Sequence, residues 1–285
     1  MKVAVIQMNS VADKARNVAA ARALMERAVA EEKPDWLLLP EHFDWAGGSR
    51  GDKLANSEEI GAGPASDMCR DFARRHGTFV HAGSIMERAR GGERIRNTSV
   101  VYDRRGEEVA RYSKIHLFDI VAPDGAVYRE SDTVTPGETV ATYECEGVTV
   151  GCAICYDLRF PELFAALVDR GATMVALPAA FTLQTGKDHW ELLLRARAVE
   201  TQAYVCASAQ CGSFVAPGGE ARHTFGHSLV ADPWGHVVAR ASDGAGYAVA
   251  RLDPARIERV RAAMPVRAHA RRLREPVPAR PIAAE

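Results

Sequence analysis

The stretch Val148 to Ile154 is an apolar, β-branched run with one glycine in it, the composition of a buried strand. A helix follows almost at once. Pro161 suits a first helical position because it lacks only an N–H that would be unpaired there, and Leu163, Phe164 and Leu167 recur behind it at helical spacing. Between strand and helix stands Cys155. A side chain at the end of such a strand is held by rigid scaffold yet exposed at the sheet rim, which lets a nucleophile meet a substrate.

The same alternation runs through the chain. The patterns predict strands near 2–8, 35–39, 78–86, 97–103, 107–113, 148–154, 173–177, 203–208, 227–232, 236–241 and 246–251. Helices are expected near 14–31, 65–76, from Pro161 onward, 188–201 and 254–263. With 285 residues, 47% of them hydrophobic, and no linker-like segment, the chain can bury one large core as a single α/β domain of helices layered on sheets.

Three chemistries compete for Cys155. Cys152 and Cys155 form a C-x-x-C, but the redox version of that motif opens a helix, whereas Cys152 lies inside the apolar run, where a thiol is usually an inert hydrophobe. Zinc would need Cys206 and Cys211 as a second half, and C-x4-C on two strand-like segments lacks the close pairing of structural sites. A catalytic thiol needs a base and an oxyanion stabiliser. Glu41 directly follows the short apolar stretch 35–40, and strand ends are where α/β sites gather side chains. By itself Glu41 reads equally as a solvated loop carboxylate. Six lysines stand against thirty arginines, and Lys114 is flanked on both sides by apolar or aromatic residues. It reads either as a snorkelling strand lysine or as a compact point charge for a developing oxyanion.

The segments Leu-Leu-Pro-Glu41, Tyr-Ser-Lys114-Ile-His-Leu-Phe-Asp and Gly-Cys-Ala-Ile-Cys155-Tyr-Asp-Leu-Arg-Phe-Pro-Glu resemble, in order and spacing, the Glu, Lys and Cys motifs of the nitrilase (carbon-nitrogen hydrolase) superfamily. Tyr128-Arg-Glu-Ser and the stretches from Thr185 and Gly226 resemble its Nit branch, which contains omega-amidases and deaminated glutathione amidases. The resemblance implies a four-layer α-β-β-α sandwich over 1–272, with 273–285 as a partly ordered C-terminal tail. It also implies hydrolysis of a primary amide of a small carboxylate-bearing substrate through a thioester, with water as co-substrate, ammonia as product and no cofactor or metal.

On these motifs Glu41 is the expected base, Lys114 the oxyanion donor and Cys155 the nucleophile. Glu130, Tyr156, Arg159 and Phe181 are expected to support or bind substrate, Tyr156 through its backbone N–H. Arg159 reads either as a grip on a substrate carboxylate or as a helix-start arginine paired with Asp157 or Glu162. Two alternatives share the fold: a nitrilase acting on a small organic nitrile, and a non-catalytic thiol-sensing or binding protein.

Charge excludes other classes. A net charge of −1 and a pI near 6.8 supply no field for nucleic acid or an anionic membrane. Apolar runs are too short to span a bilayer, and no signal peptide is visible. Six cysteines in a chain this long fit free thiols, so a cytoplasmic location is expected. A homodimer or higher homo-oligomer is expected from the resemblance. Gly226-His-Ser228 imitates a serine-hydrolase elbow but has Val230 where the second glycine belongs. In the helix near 188–201, Leu192, Leu193, Ala196 and Val199 are expected to form the apolar face, with packing or a dimer contact, rather than ligation, as the role of His189 and Trp190.

Overall fold

The computed structural model describes residues 1–271 apart from Arg90, Pro123, Asp124, Pro217 and Glu220. The expected domain limit at 272 and the tail 273–285 therefore lie outside the described residues. The first half of the chain runs β1 (Lys2–Gln7), α1 (Lys14–Glu32), β2 (Trp36–Leu38), α2 (Arg50–Ala55), α3 (Pro64–His76), β3 (Phe79–His81), β4 (Ile85–Arg88), β5 (Ile95–Tyr102), β6 (Glu108–Ser113), β7 (Asp119–Val121) and β8 (Val127–Arg129). The second half runs β9 (Thr142–Cys145), β10 (Val148–Cys152), α4 (Pro161–Asp169), β11 (Met174–Ala179), α5 (Leu183–Thr201), β12 (Tyr204–Ala209), β13 (Cys211–Val215), β14 (Ala221–Phe225), β15 (Leu229–Ala231), β16 (Val237–Arg240), β17 (Gly246–Arg251), α6 (Pro254–Ala263) and α7 (Val266–His269).

Two sheets carry the fold. One has the order β17-β1-β2-β3-β5-β4 with β6 added on β5, and the other the order β16-β15-β12-β11-β10-β9. At the centre of each lie three parallel strands, β1-β2-β3 and β10-β11-β12. Parallel strands covered on both faces read as continuous apolar runs, as Val3-Ala-Val-Ile6 and Val175-Ala-Leu177 do. Their alternation divides the layers: Val3, Val5, Trp36 and Leu38 point to the second sheet, while Ala4, Ile6, Leu37 and Leu39 point to Met25 of α1 and Phe72 of α3. Leu163 and Leu167 of α4 and Trp190 and Leu194 of α5 cover the other side of the second sheet. The result is the helix-sheet-sheet-helix stack expected from the motifs. Gly151 explains the glycine inside β10: a Cβ there would stand 3.0 Å from the Leu167 side chain, so α4 lies close against the strand. Among the described residues no helix is long and apolar enough to cross a membrane.

Local signals fixed most boundaries. Asp13 caps α1 by accepting from Arg16 N–H, Pro64 and Pro161 open α3 and α4, and Gly77 closes α3 in the left-handed region. Three expectations are corrected. The strand expected over 78–86 is two strands, broken at Gly83. The helix expected from 188 starts at Leu183, where the Thr182 hydroxyl accepts from Thr185 N–H. Its buried face is Trp190, Leu194, Arg197 and Ala198, while Leu192 and Val199 are exposed. The helix is apolar on several sides, so the sheet it packs on chose the face.

Candidate active site

Four strand ends converge on one cavity of about 290 Å³, lined among others by Glu41, Lys114, Glu130, Cys155, Ala180 and Gln210. Glu41 follows β2, Lys114 follows β6 directly, Glu130 follows β8 directly, and Cys155 follows β10 by a two-residue link. The carboxyl ends of parallel strands lie at one rim of a sheet, where side chains from distant sequence positions meet.

The Glu41 loop is held by its backbone. Ser84 N–H donates to Pro40 carbonyl at 3.3 Å, His42 N–H donates to Ser84 Oγ at 3.0 Å, and Gln210 Nε2 donates to Glu41 carbonyl at 3.0 Å. Gly83 sits under this loop with φ 49°, and a Cβ there would come within 2.1 Å of the Pro40 carbonyl oxygen. Lys114 is clamped on the other side: its N–H donates to Asn97 carbonyl and its carbonyl accepts from Gly137 N–H.

Glu41 and Lys114 are each only 2% exposed. Lys114 Nζ donates to Glu41 Oε1 at 3.0 Å and to Glu130 Oε2 at 2.8 Å. Asn97 Nδ2 donates to the same two carboxylates, at 2.9 and 3.2 Å, and Phe118 N–H donates to Glu130 at 2.7 Å. Neither the solvated-loop reading of Glu41 nor the snorkelling reading of Lys114 survives this geometry.

Cys155 opens a one-turn 3-10 helix, Cys155–Arg159, with φ 48°, a left-handed conformation that a non-glycine residue adopts only under constraint. The constraint is Asp157, fully buried, which accepts from Ile154 N–H, Tyr112 hydroxyl and His116 N–H at 2.7 to 3.0 Å. The Cys155 thiol shares the cavity with the Glu41 carboxylate, Lys114 and Ala180. Tyr156 is the second residue of that turn, and the first N–H groups of a helix have no intrahelical acceptor.

Electrostatics follow from burial and partners. Burial alone would raise Glu41, but the Lys114 ammonium and then His42 hold its carboxyl below the ordinary value of 4.5. Burial lowers Lys114, and Glu130 and Glu41 overcome this and hold it well above its ordinary value. Burial and the adjacent Glu41 carboxylate push the Cys155 thiol well up. The resting site is thus an ionised glutamate hydrogen-bonded to an ammonium, with a neutral thiol on the same cavity. Among the described residues, Glu41, His42 and Glu130 are also the group whose ligand atoms come within 4.8 Å of one another, as a metal would require. The Lys114 ammonium already lies against both carboxylates, where that cation would sit.

Arg159 lines the cavity without the partners proposed for it within its own helix. Its Nη2 lies 3.2 Å from His189 Nδ1, and its guanidinium stands over the Tyr156 and Phe181 rings at 5.8 and 5.5 Å. Phe181, buried against Trp190, forms part of the same wall. Cys152 faces the core, where burial pushes its thiol up to about 12. All six cysteines are free. Ser228 is a buried core hydroxyl that accepts from Ala209 N–H. The residue reading missed Asn97, Asp157 and Gln210. Only Asp157 carried a local signal, its place two residues after the nucleophile on a turn.

A family model described as carbon-nitrogen hydrolase matches residues 2–262. The deaminated glutathione amidase of Bos taurus is 40% identical over 273 residues, covering 94% of this chain and 81% of that protein. Among solved structures, the C. elegans NitFhit protein superposes with a TM-score of 0.86 at 36% identity, covering 95% of this chain and 65% of that one, so this chain spans a little under two thirds of its length. Saccharomyces cerevisiae Nit3, a member of branch 10 of the nitrilase superfamily, gives a TM-score of 0.82 at 32% identity, covering 93% of this chain and 94% of that one.

Proposed function

Because the chain belongs to the carbon-nitrogen hydrolase family, we propose that it is an amidohydrolase of the omega-amidase or deaminated-glutathione-amidase type, cleaving a primary amide of a small carboxylate-bearing substrate through a thioester on Cys155. One observation carries the reading: a neutral thiol and an ionised, buried glutamate line one cavity, with the Lys114 ammonium hydrogen-bonded to that same glutamate. The relatives named as amidases support the substrate class.

Each step follows from the groups present. Glu41 takes the thiol proton as Sγ attacks the amide carbon, so no free thiolate has to persist in a buried site. A thiol of high proton affinity gives a strong nucleophile once that proton moves. The oxyanion that forms is held by Lys114 Nζ and the Tyr156 backbone N–H, each such donor being worth roughly 3 to 4 kcal/mol. Glu41 passes its proton to the leaving nitrogen, and ammonia departs. Water then gives a proton to Glu41 and attacks the thioester carbon, and Sγ leaves to recover the proton. Glu130 and Asn97 keep Lys114 and Glu41 in place, and Arg159 grips a substrate carboxylate in two hydrogen bonds.

The setting is read in the same way. Six unpaired cysteines support a reducing, cytoplasmic compartment. A homodimer is supported by exposed apolar side chains beside one another, Leu192 and Val199 on α5 with Trp234 and Val238 on the neighbouring hairpin, which is joined to α5 by Arg195 Nε donating to Gly235 carbonyl at 2.8 Å. The deciding experiment is an ammonia-release screen over short acyl amides with and without a distal carboxylate. Turnover of acid amides with an acyl adduct on Cys155 is expected. Activity on nitriles alone would overturn the reading.

A further inference from the structure

The segment from Lys114 to Phe118 touches both halves of the site. Lys114 Nζ and Phe118 N–H each donate to Glu130, and the Phe118 ring stands 5.1 Å from the Tyr156 ring on the nucleophile's turn. Midway between them is His116, which has no part in the steps above and lies behind the cavity wall rather than on it. Two contacts tie its half-buried imidazole to the turn. Nδ1 lies 2.7 Å from Asp157 Oδ1, beside the His116 backbone N–H that reaches the same oxygen at 3.0 Å. A carboxylate only accepts, so Nδ1 carries the proton and donates it. The face of the ring stacks on Phe160, with 3.6 Å between ring centres and 7° between planes, and Phe160 N–H donates to the Asp157 carbonyl at 3.0 Å to close the turn.

His116 therefore grips the turn at its buried carboxylate and at the residue that ends it. The other oxygen of Asp157 accepts from Ile154 N–H at 2.8 Å and Tyr112 hydroxyl at 2.7 Å, which fix that side from the core. Without the imidazole, Oδ1 would keep one backbone donor and Phe160 would lose its stacking partner. Cys155 stands two residues before Asp157 at φ 48°, and a left-handed non-glycine residue persists only where its surroundings over-determine it. Loosening the turn moves Sγ against Glu41 and Lys114, and a shift of about 1 Å in a reacting group costs about 10²-fold in rate.

We propose that His116 is a positioning residue whose imidazole locks the nucleophile's turn to the segment that carries Lys114, so that Sγ, the Glu41 carboxylate and the oxyanion donor keep one geometry; its effect on turnover rests on the amidase reading above. Two substitutions separate its contacts. His116→Asn offers an amide N–H close to the place of Nδ1 and loses the stack, whereas His116→Phe keeps a flat ring on Phe160 and loses the donor. With glutaric acid monoamide as substrate and ammonia release as readout, His116→Phe should lower kcat by about 10- to 100-fold with KM within about threefold of the wild type. His116→Asn should recover most of kcat. A folded His116→Phe whose kcat stays within about twofold of the wild type overturns the proposal, and so does a loss confined to KM. A second measurement needs no turnover: labelling of the Cys155 peptide by iodoacetamide, followed by mass spectrometry, should slow about tenfold in His116→Phe and stay near the wild-type rate in His116→Asn. Equal labelling rates in all three proteins overturn the assignment. A lower urea midpoint with kcat and labelling unchanged would make His116 a scaffold residue only, which also overturns it. Should His116→Phe fail to fold, His116→Ala, which removes donor and stack together, is read by the same criteria. If the wild type releases no ammonia from any short acid amide, the amidase reading fails, and the labelling rates still decide His116.

Discussion

Two lysines in this chain each bridge a pair of carboxylates, at nearly the same distances. Lys14 Nζ stands 3.0 Å from Asp44 and 2.9 Å from Glu58, and Lys114 Nζ stands 3.0 Å from Glu41 and 2.8 Å from Glu130. Around Lys14 the remaining oxygens serve the scaffold: Glu58 accepts from the N–H groups of Ala65 and Ser66 in the first turn of α3, and burial pushes the Asp44 carboxyl up more than Lys14 pulls it down. Around Lys114 the glutamate is held ionised, and a cavity opens on the group with a thiol on its wall. An ammonium between carboxylates is therefore no sign of chemistry in itself. Access and a nucleophile make the difference, and a scarcity of lysine would have selected both sites equally.

Five outcomes would break or sharpen that contrast. The largest effect belongs to the thiol: Cys155→Ala should abolish amide hydrolysis, while Cys152→Ala, three residues away but facing the core, retains most of it. Mass spectrometry with a slow substrate should find the acyl group on the Cys155 peptide, and an adduct on Cys152 would reverse the assignment.

Lys114→Arg keeps the charge and should still lose about 10²-fold or more in kcat, the scale of losing one oxyanion donor. Near-normal turnover would mean that charge alone suffices there. Arg159→Ala should lower kcat/KM for a dicarboxylic acid monoamide by at least about 30-fold, the equivalent of 2 kcal/mol for a broken buried charge pair. Uncharged amides of equal length should lose far less, and equal losses would make Arg159 part of the scaffold.

The pH profile follows from Glu41. Its carboxyl is depressed in the folded protein, so the base stays ionised down past 4.5, and kcat/KM should fall about tenfold per unit only below that. The stability that the same group contributes is present above its unfolded value and is lost as pH falls through the folded one. An acid limb near neutrality would contradict the assignment. The smallest effect on chemistry is expected at the other lysine: Lys14→Met should change kcat by no more than a few-fold, yet cost about 3 to 5 kcal/mol in urea unfolding, because two buried carboxylates lose their cation. A Lys14 variant that kept its stability and lost turnover would erase the distinction between the two clusters.

Much of this was legible beforehand. Glu41 and Cys155 each end a buried apolar strand, and period and punctuation place such ends well. The structure brings Lys114, Glu130 and both of these together as the motifs implied. The ribbons β7-β8 and β13-β14 were missed, although they supply Tyr128 and Arg222 to the cavity wall. They are short, half-exposed and polar, so they lack the alternation that marks a strand against a core. Asn97 was missed for a different reason: an asparagine inside a strand has no local signature, and its role exists only because β5 passes between the Glu41 and Glu130 loops.

The sequence alone determined the order of the central strands and of the helices that cover them, the cysteine held on a turn, and the free thiols, because burial periodicity, proline and glycine act on neighbours along the chain. Only the tertiary structure decided which lysine serves a cavity, which face of α5 is buried, and what Arg159 has for company. Those outcomes depend on contacts between segments tens to hundreds of residues apart, and a buried charge takes its state from the partners and solvent around it, which local spacing does not encode.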